Sequence, residues 1–163
     1  MLTNSLASTD EPVVHLGYSR HRVEMLKMGI NLYELSSTRL MKNKRMFLFG
    51  ESLGRLHAKL VVIDHKTIFI GSMNLDPRSA TINTELGAVI DSPSLAGALA
   101  DAFETVIPLR AWQLSLGANG AGLVWTARDP DGGERRFTTE PDTSLPRRLG
   151  VDLLSLLPID GLL

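Results

Sequence analysis

Cysteine is absent from the 163 residues. A disulfide framework, a thiolate zinc site and a cysteine nucleophile are therefore excluded together. Charge imbalance is missing too: 17 Lys and Arg stand against 18 Asp and Glu. Any basic surface for a polyanion must then be local. No run of eighteen apolar residues occurs, so no stretch reads as a membrane-spanning helix. The opening residues, M-L-T-N-S-L-A-S-T-D-E, carry neither a basic nor a long apolar segment and do not read as a secretory signal. Internal repeats and low-complexity stretches are also lacking. What remains is ordinary globular usage, 44% hydrophobic and 21% charged, enough for one domain with a core. The abrupt start at Met1 suggests a truncated or internally started product.

Local patterns lay out an α/β chain. Residues 4–11 are turn-like, and Pro12 opens a short apolar run containing His15, which reads as a structural or surface histidine. The spacing of Val23, Leu26 and Ile30 predicts a helix over 18–28, with Gly29 as its stop. Residues 30–35 alternate as a half-buried strand. Residues 36–45 read as a solvated loop, with a basic rim of Arg39, Lys42, Lys44 and Arg45 as the functional alternative. Short strands follow at 46–49, 56–63, 67–70 and 84–90. Ser92-Pro93 starts a helix that Pro108 ends. Beyond it, 111–116 and 122–127 form a hairpin around Ala-Asn-Gly, with Trp112 and Trp125 as core or cover residues. A turn at 129–133 leads to a helix over 143–157, expected to dock on the core rather than lie on a membrane. The expected division is a core over 1–108 and a hairpin-and-helix extension over 109–163.

The chemistry gathers between Arg55 and Asn74, R-L-H-A-K-L-V-V-I-D-H-K-T-I-F-I-G-S-M-N. Residues two apart on a strand share a face, so His57 and Lys59 project together. A tight turn pairing Asp64 with Thr67 would set Lys59 opposite Ser72 and His57 opposite Asn74. An imidazole is a nucleophile or acid/base near neutral pH. An ammonium, a hydroxyl and an amide are donors suited to phosphate oxygens. No metal-ligand cluster is visible among the four histidines. Metal-independent phosphoryl transfer through a histidine, with no cofactor, is the implied chemistry.

These residues resemble a family. His57-x-Lys59-x4-Asp64-x6-Gly71-Ser72-x-Asn74 matches the HKD motif of the phospholipase D superfamily at every motif position. The flanks N-L-D-P-R-S (Asn74–Ser79), N-T-E-L-G (Asn83–Gly87), T-N-S-L-A-S-T-D and L-L-P-I-D are similar to its bacterial cardiolipin synthase and phosphatidyltransferase branch. The resemblance covers nearly the whole chain, as the C-terminal half of a two-motif protein. It implies a phospholipase D-like mixed sheet with helices on both faces, followed by the C-terminal hairpin and helix. It implies that His57 is one of two active-site histidines and that Lys59, Ser72 and Asn74 bind phosphate. Glu85 would hydrogen-bond His57 and fix its tautomer, while Asp64 would hold the turn.

The family's reaction uses two histidines, and this chain has one motif; His15, His21 and His65 lie outside any such context. A missing N-terminal domain, another chain or a homodimer mate would supply the second half-site. The implied substrate is a phosphatidylglycerol-like phospholipid, with peripheral membrane contact in the bacterial cytoplasm or at the cytoplasmic face of the inner membrane. Two other classes stay open: a homodimeric phosphodiesterase or endonuclease, disfavoured by the near-zero charge, and a catalytically incomplete lipid-binding half.

Overall fold

A computed structural model describes residues 1–9, 11–41, 56–74, 77–129 and 131–155. In chain order its first elements are β1 (Leu2–Asn4), α1 (Pro12–Ser19), α2 (Arg22–Lys27), β2 (Tyr33–Leu35) and α3 (Ser37–Met41). Then come β3 (Lys59–Ile63), β4 (Thr67–Gly71), α4 (Pro77–Thr81), β5 (Gly87–Asp91), α5 (Pro93–Thr105) and α6 (Ile107–Arg110). The chain closes with β6 (Ala111–Leu116), β7 (Leu123–Arg128), β8 (Glu134–Phe137) and α7 (Leu145–Ser155). This is the α/β class expected. The elements fall into two units, one holding the described residues up to Leu56 and from Ile107 onward, the other those between His57 and Val106.

In the first unit a five-stranded mixed sheet runs β1-β2-β6-β7-β8. β1 and β2 are parallel, and the remaining pairs are antiparallel. The hairpin expected as an extension thus joins the same sheet as the chain's first strands. Its turn uses Asn119 and Gly120 at φ 65° and 71°. The core is built on Trp112 and Trp125 with Leu32, Leu114 and Ala127, flanked by Met25, Leu26 and Leu123. A second cluster joins Leu6 and Leu16 to Val151 and Leu154, which docks α7 beside α1.

Several local expectations change. The apolar run at Pro12 is the first turn of α1, with Pro at a helix start where its missing N–H costs nothing. The helix expected over 18–28 is broken between Ser19 and Arg22, and Gly29 at φ 85° stops α2 as expected. Part of the expected loop is α3. Arg39 belongs to no basic rim: it is buried, its guanidinium 2.9 Å from Asp129 and its Nε donating to Leu109 O at 3.1 Å. A buried cation is retained only where it is paired, and this one is. Lys42, Lys44, Arg45 and the strand expected at 46–49 lie outside the described residues. β8 was not expected, because E-R-R-F lacks the alternation that marks a strand.

The first unit also buries a set of charges. Arg22, 3% exposed, lies 2.7 Å from Glu34 and 2.5 Å from Glu140, and its NH2 donates to His15 Nε2 at 2.8 Å. Trp125 Nε1 donates to Glu34 at 2.9 Å. Two residues along from Glu140, Asp142 accepts from Ser36, Thr38 and Trp112 at 2.6–3.1 Å. His15 is thus structural, as expected.

The second unit is an antiparallel sheet, β3-β4-β5, with α5 packed on β3 and β4. Ser92 caps α5, its hydroxyl accepting from Leu95 N. Ile68 and Ala96 are buried to 1% and 0% exposure. Gly71 and Gly87 pair directly. A Cβ on Gly71 would meet Leu86 O at 2.7 Å, and one on Gly87 would meet the Phe69 ring at 2.5 Å. The glycine that opens G-S-x-N is therefore demanded by close packing of strand on strand.

Candidate active site

The hairpin β3–β4 carries the motif, but its register differs from the expected one. Ile63 pairs with Thr67 and Lys59 with Gly71, where the sequence expectation paired Asp64 with Thr67 and Lys59 with Ser72. The cause lies in the turn. Asp64 and His65 both adopt positive φ, 52° and 53°, and Lys66 N closes back on Ile63 O at 3.0 Å. Three residues are thus consumed outside the ladder. Side chains alternate along a strand, so a one-residue shift separates the faces of Lys59 and Ser72 within the ladder.

The motif residues consequently form two hydrogen-bonded groups. In the first, Lys59 Nζ lies 3.1 Å from His57 Nε2 and donates to His57 O at 3.0 Å. An ammonium can only donate, so Nε2 must be the accepting nitrogen and carries the lone pair. His57 is exposed and precedes β3 rather than lying within it. In the second group, Ser72 Oγ donates to Glu85 Oε2 at 2.5 Å and accepts from Leu86 N at 3.0 Å. Asn83 Nδ2 reaches Glu85 Oε1 at 3.4 Å.

Glu85 therefore bonds Ser72 and Asn83, and not His57 as the resemblance implied. Hydrogen bonds from Ser72 and from Ser79, then Asn83 and the charge of Lys59, hold its carboxyl below the usual glutamate range. Lys59 is the electrostatic link between the two groups. Ser79 is 4% exposed. It and Asn83 went unassigned in the sequence reading, although both stand inside the flanking motifs N-L-D-P-R-S and N-T-E-L-G.

Asn74 is exposed, three residues past the end of β4. Asp64 sits at the other end of the hairpin, roughly 16 Å from Lys59 at ~3.3 Å per strand residue. Its place is explained by the backbone, since aspartate tolerates the left-handed region better than most residues. His65 shares that turn, and exposed His21 lies 3.8 Å from Glu24. Beside Ser72 an open apolar recess of about 470 Å³ is lined by Ile70, Gly71, Leu86, Gly87 and Ala88.

One titration follows from this geometry. Because the folded carboxyl of Glu85 is lowered, its bond to Ser72 is intact above the ordinary glutamate pKa and is lost only as pH falls through the lowered value. Carbon-detected NMR should find the Glu85 midpoint below the usual range, and Ser72→Ala should move it up. An unchanged midpoint would remove Ser72 as the main cause.

His57 and Lys59 at the start of β3, with Gly71 and Ser72 at the end of β4 and a carboxylate holding the serine, keep the HKD-motif residues on one hairpin. Residues 1–107 match the family model described as cardiolipin synthase, PLD-like domain. The chain belongs to that phospholipase D-like family. It is 44% identical over its full length to cardiolipin synthase C of Escherichia coli K12, covering 34% of that protein. It is 35% identical, over 97% of its length, to an uncharacterized protein of Helicobacter pylori strain 26695, covering 30% of it. Cardiolipin synthase 2 of Staphylococcus epidermidis matches 58% of the chain at 30% identity, over 16% of its own length. The chain spans about a third of the length of the first two of these relatives. No solved structure matches it. Among the described residues no helix is long and apolar enough to cross a membrane.

Proposed function

We propose that this chain supplies one of two half-sites for phosphatidyl transfer between phospholipids and alcohols, through a phosphohistidine on His57. The observation that carries the reading is the donor-only Lys59 ammonium held 3.1 Å from His57 Nε2, which marks Nε2 as the unprotonated nitrogen, able to attack once Lys59 turns from it to the phosphate. That nitrogen bonds to the phosphorus of a phosphatidylglycerol-like lipid as the bond to the leaving glycerol breaks. The leaving oxygen takes a proton from the second half-site. An acceptor alcohol returns a proton there, its oxygen bonds to phosphorus, and the P–N bond breaks to restore His57.

Lys59 and Asn74 act as donors to the phosphate oxygens. Ser72 has a single hydroxyl proton and gives it to Glu85; it joins the phosphate only when a phosphate oxygen displaces that carboxylate. Glu85, so released, is available for His57 Nδ1–H, which is the orienting role the resemblance implies. Asp64 holds the turn. The second half-site comes from an N-terminal domain, another chain or a homodimer mate. The family relationship supports a phospholipid substrate, and a place in the bacterial cytoplasm or peripherally at the cytoplasmic face of the inner membrane belongs to the same proposal.

The reading is tested on phosphatidylglycerol vesicles. Incubation of the chain assembled with its second half-site, followed by acid-free quenching, should yield a protein whose mass carries one phosphatidyl group, with glycerol released in equal amount. Release of glycerol with no adduct at any time point would argue against the covalent route. Cleavage of DNA without lipid turnover would favour the phosphodiesterase alternative.

A further inference from the structure

Asn4 ends β1 in the segment T-N-S-L-A-S, to which the reaction above gives no task. Its side chain makes a reciprocal pair of bonds to one peptide residue: Nδ2 donates to Leu56 O at 2.8 Å, and Oδ1 accepts from Leu56 N at 2.8 Å. Leu56 lies outside any strand and is joined through its carbonyl to His57. A side-chain amide offers one donor and one acceptor at the spacing of a backbone amide, so Asn4 stands in for a neighbouring strand at this residue. Its orientation is fixed by its own surroundings. Ser8 Oγ has one proton to share between Asn4 Oδ1 at 3.5 Å and Ser5 O at 3.3 Å, and Ser8 is in turn held by Ser5, with Ser8 N donating to Ser5 Oγ at 3.2 Å. Ser5 and Ser8 are buried to 0% and 3% exposure.

We propose that Asn4 is a positioning residue for His57, clamping both backbone polar groups of Leu56 so that the next residue presents its imidazole in a single geometry. This rests on the reading of His57 as an active-site histidine. The bond between Leu56 and His57 is short and stiff, and φ/ψ freedom at Leu56 would otherwise swing the ring. Nothing else among the described hydrogen bonds holds the Leu56 backbone. The small polar residues of T-N-S-L-A-S thereby gain a common purpose: β1 delivers the amide, and the two serines hold its oxygen in place.

The test uses the full chain with Asn4→Ala and Asn4→Asp, and His57→Ala alongside. By amide hydrogen exchange, Asn4→Ala should lower protection of Leu56 N–H at least tenfold and shift the His57 ring resonances. The urea midpoint is followed to exclude unfolding. Asn4→Asp supplies a signature that general destabilisation would not. An ionised carboxylate accepts from Leu56 N but repels Leu56 O, whereas a protonated one both accepts and donates. Protection at Leu56 in Asn4→Asp should therefore be low near pH 7 and recover as pH falls through the titration of the introduced carboxyl. In lipid turnover, Asn4→Ala should reduce kcat by roughly 10- to 100-fold, the scale of a small misplacement, with KM within about twofold. Unchanged Leu56 protection overturns the clamp. Wild-type kcat in Asn4→Ala, with His57→Ala inactive, overturns the positioning role alone. Wild-type turnover in His57→Ala overturns the reading beneath it as well.

Discussion

Replacing His57 with alanine is expected to lower phosphatidyl transfer by roughly four orders of magnitude or more, the loss typical when a nucleophile and its proton chemistry go together. The fold should be untouched. His57 is exposed, and its ring is hydrogen-bonded to Lys59, so the change in stability should stay within about 0.5 kcal/mol. The phosphatidyl adduct seen by mass spectrometry should vanish in the same variant. Lys59→Ala removes one charge-assisted donor and should cost less, roughly 10²–10³ in kcat, as loss of a single oxyanion donor does elsewhere. The order of the two losses discriminates. If Lys59→Ala is worse than His57→Ala, the site binds phosphate without bonding to it. An adduct persisting in His57→Ala would sink the phosphohistidine on this residue.

The largest effect on stability is expected in the first unit, at Arg22. Its guanidinium serves two carboxylates, Glu34 with a fully buried side chain and Glu140 with one 18% exposed, and lies 5.1 and 5.5 Å from the Tyr18 and Trp125 rings. Arg22→Ala leaves both carboxylates without their main cation. Breaking a buried pair from one side costs roughly 3–5 kcal/mol, a large share of the ~5–15 kcal/mol that holds a typical domain together. Burial by itself pushes the Glu140 carboxyl up, but contact with His15 and the charge of Arg22 outweigh it and hold the group below its usual range. A lowered carboxyl contributes stability above its unfolded pKa, which is lost as pH falls through the folded value. Urea melts over an acid pH series should therefore show Arg22→Ala unfolding at lower urea near neutral pH. The loss of stability on acidification should also be smaller in that variant, because Arg22 no longer helps to hold the Glu140 carboxyl low. Glu140→Gln should flatten the acid limb of the stability curve with a smaller loss at neutrality. Equal midpoints for wild type and Arg22→Ala would mean that the buried pairs add nothing net.

The histidine hairpin was legible in the sequence because its cues are local. H-x-K sets a histidine and a lysine together at the start of β3, and alternation of apolar residues marks both strands. Its register was not, because the turn places two non-glycine residues at positive φ, and neither Asp64 nor His65 announces that as glycine would. The α/β class, the tryptophan core and the capped helix α5 followed from periodicity and start signals. α1 was missed because Val13 and Val14 weigh against a helix until tertiary packing on Val151 and Leu154 decides it. Arg39, Arg22, Glu140 and Asp142 could not be placed from spacing at all. Asp142 meets Ser36 across a separation of 106 residues, and only the assembled sheet brings them together. Glu85 was found through its motif, but its partner was not: Ser72 reaches it through a strand-end bond that the misjudged register had turned away.

The sheet order β1-β2-β6-β7-β8 also dictates a sequence of events during synthesis. The contiguous unit between His57 and Val106 contains all its own strand partners, and such local pairing closes early. β1 and β2 leave the ribosome before it yet must wait for β6, while Glu34 and Arg22 stay hydrated until Trp125 and Glu140 emerge. Among the later ties are the two carboxylates of E-P-D, Glu140 and Asp142, which hold Arg22, Ser36 and Trp112. A nascent chain halted short of them would display a finished β3–β4 hairpin while the five-stranded sheet stays open, with apolar surface exposed to proteases.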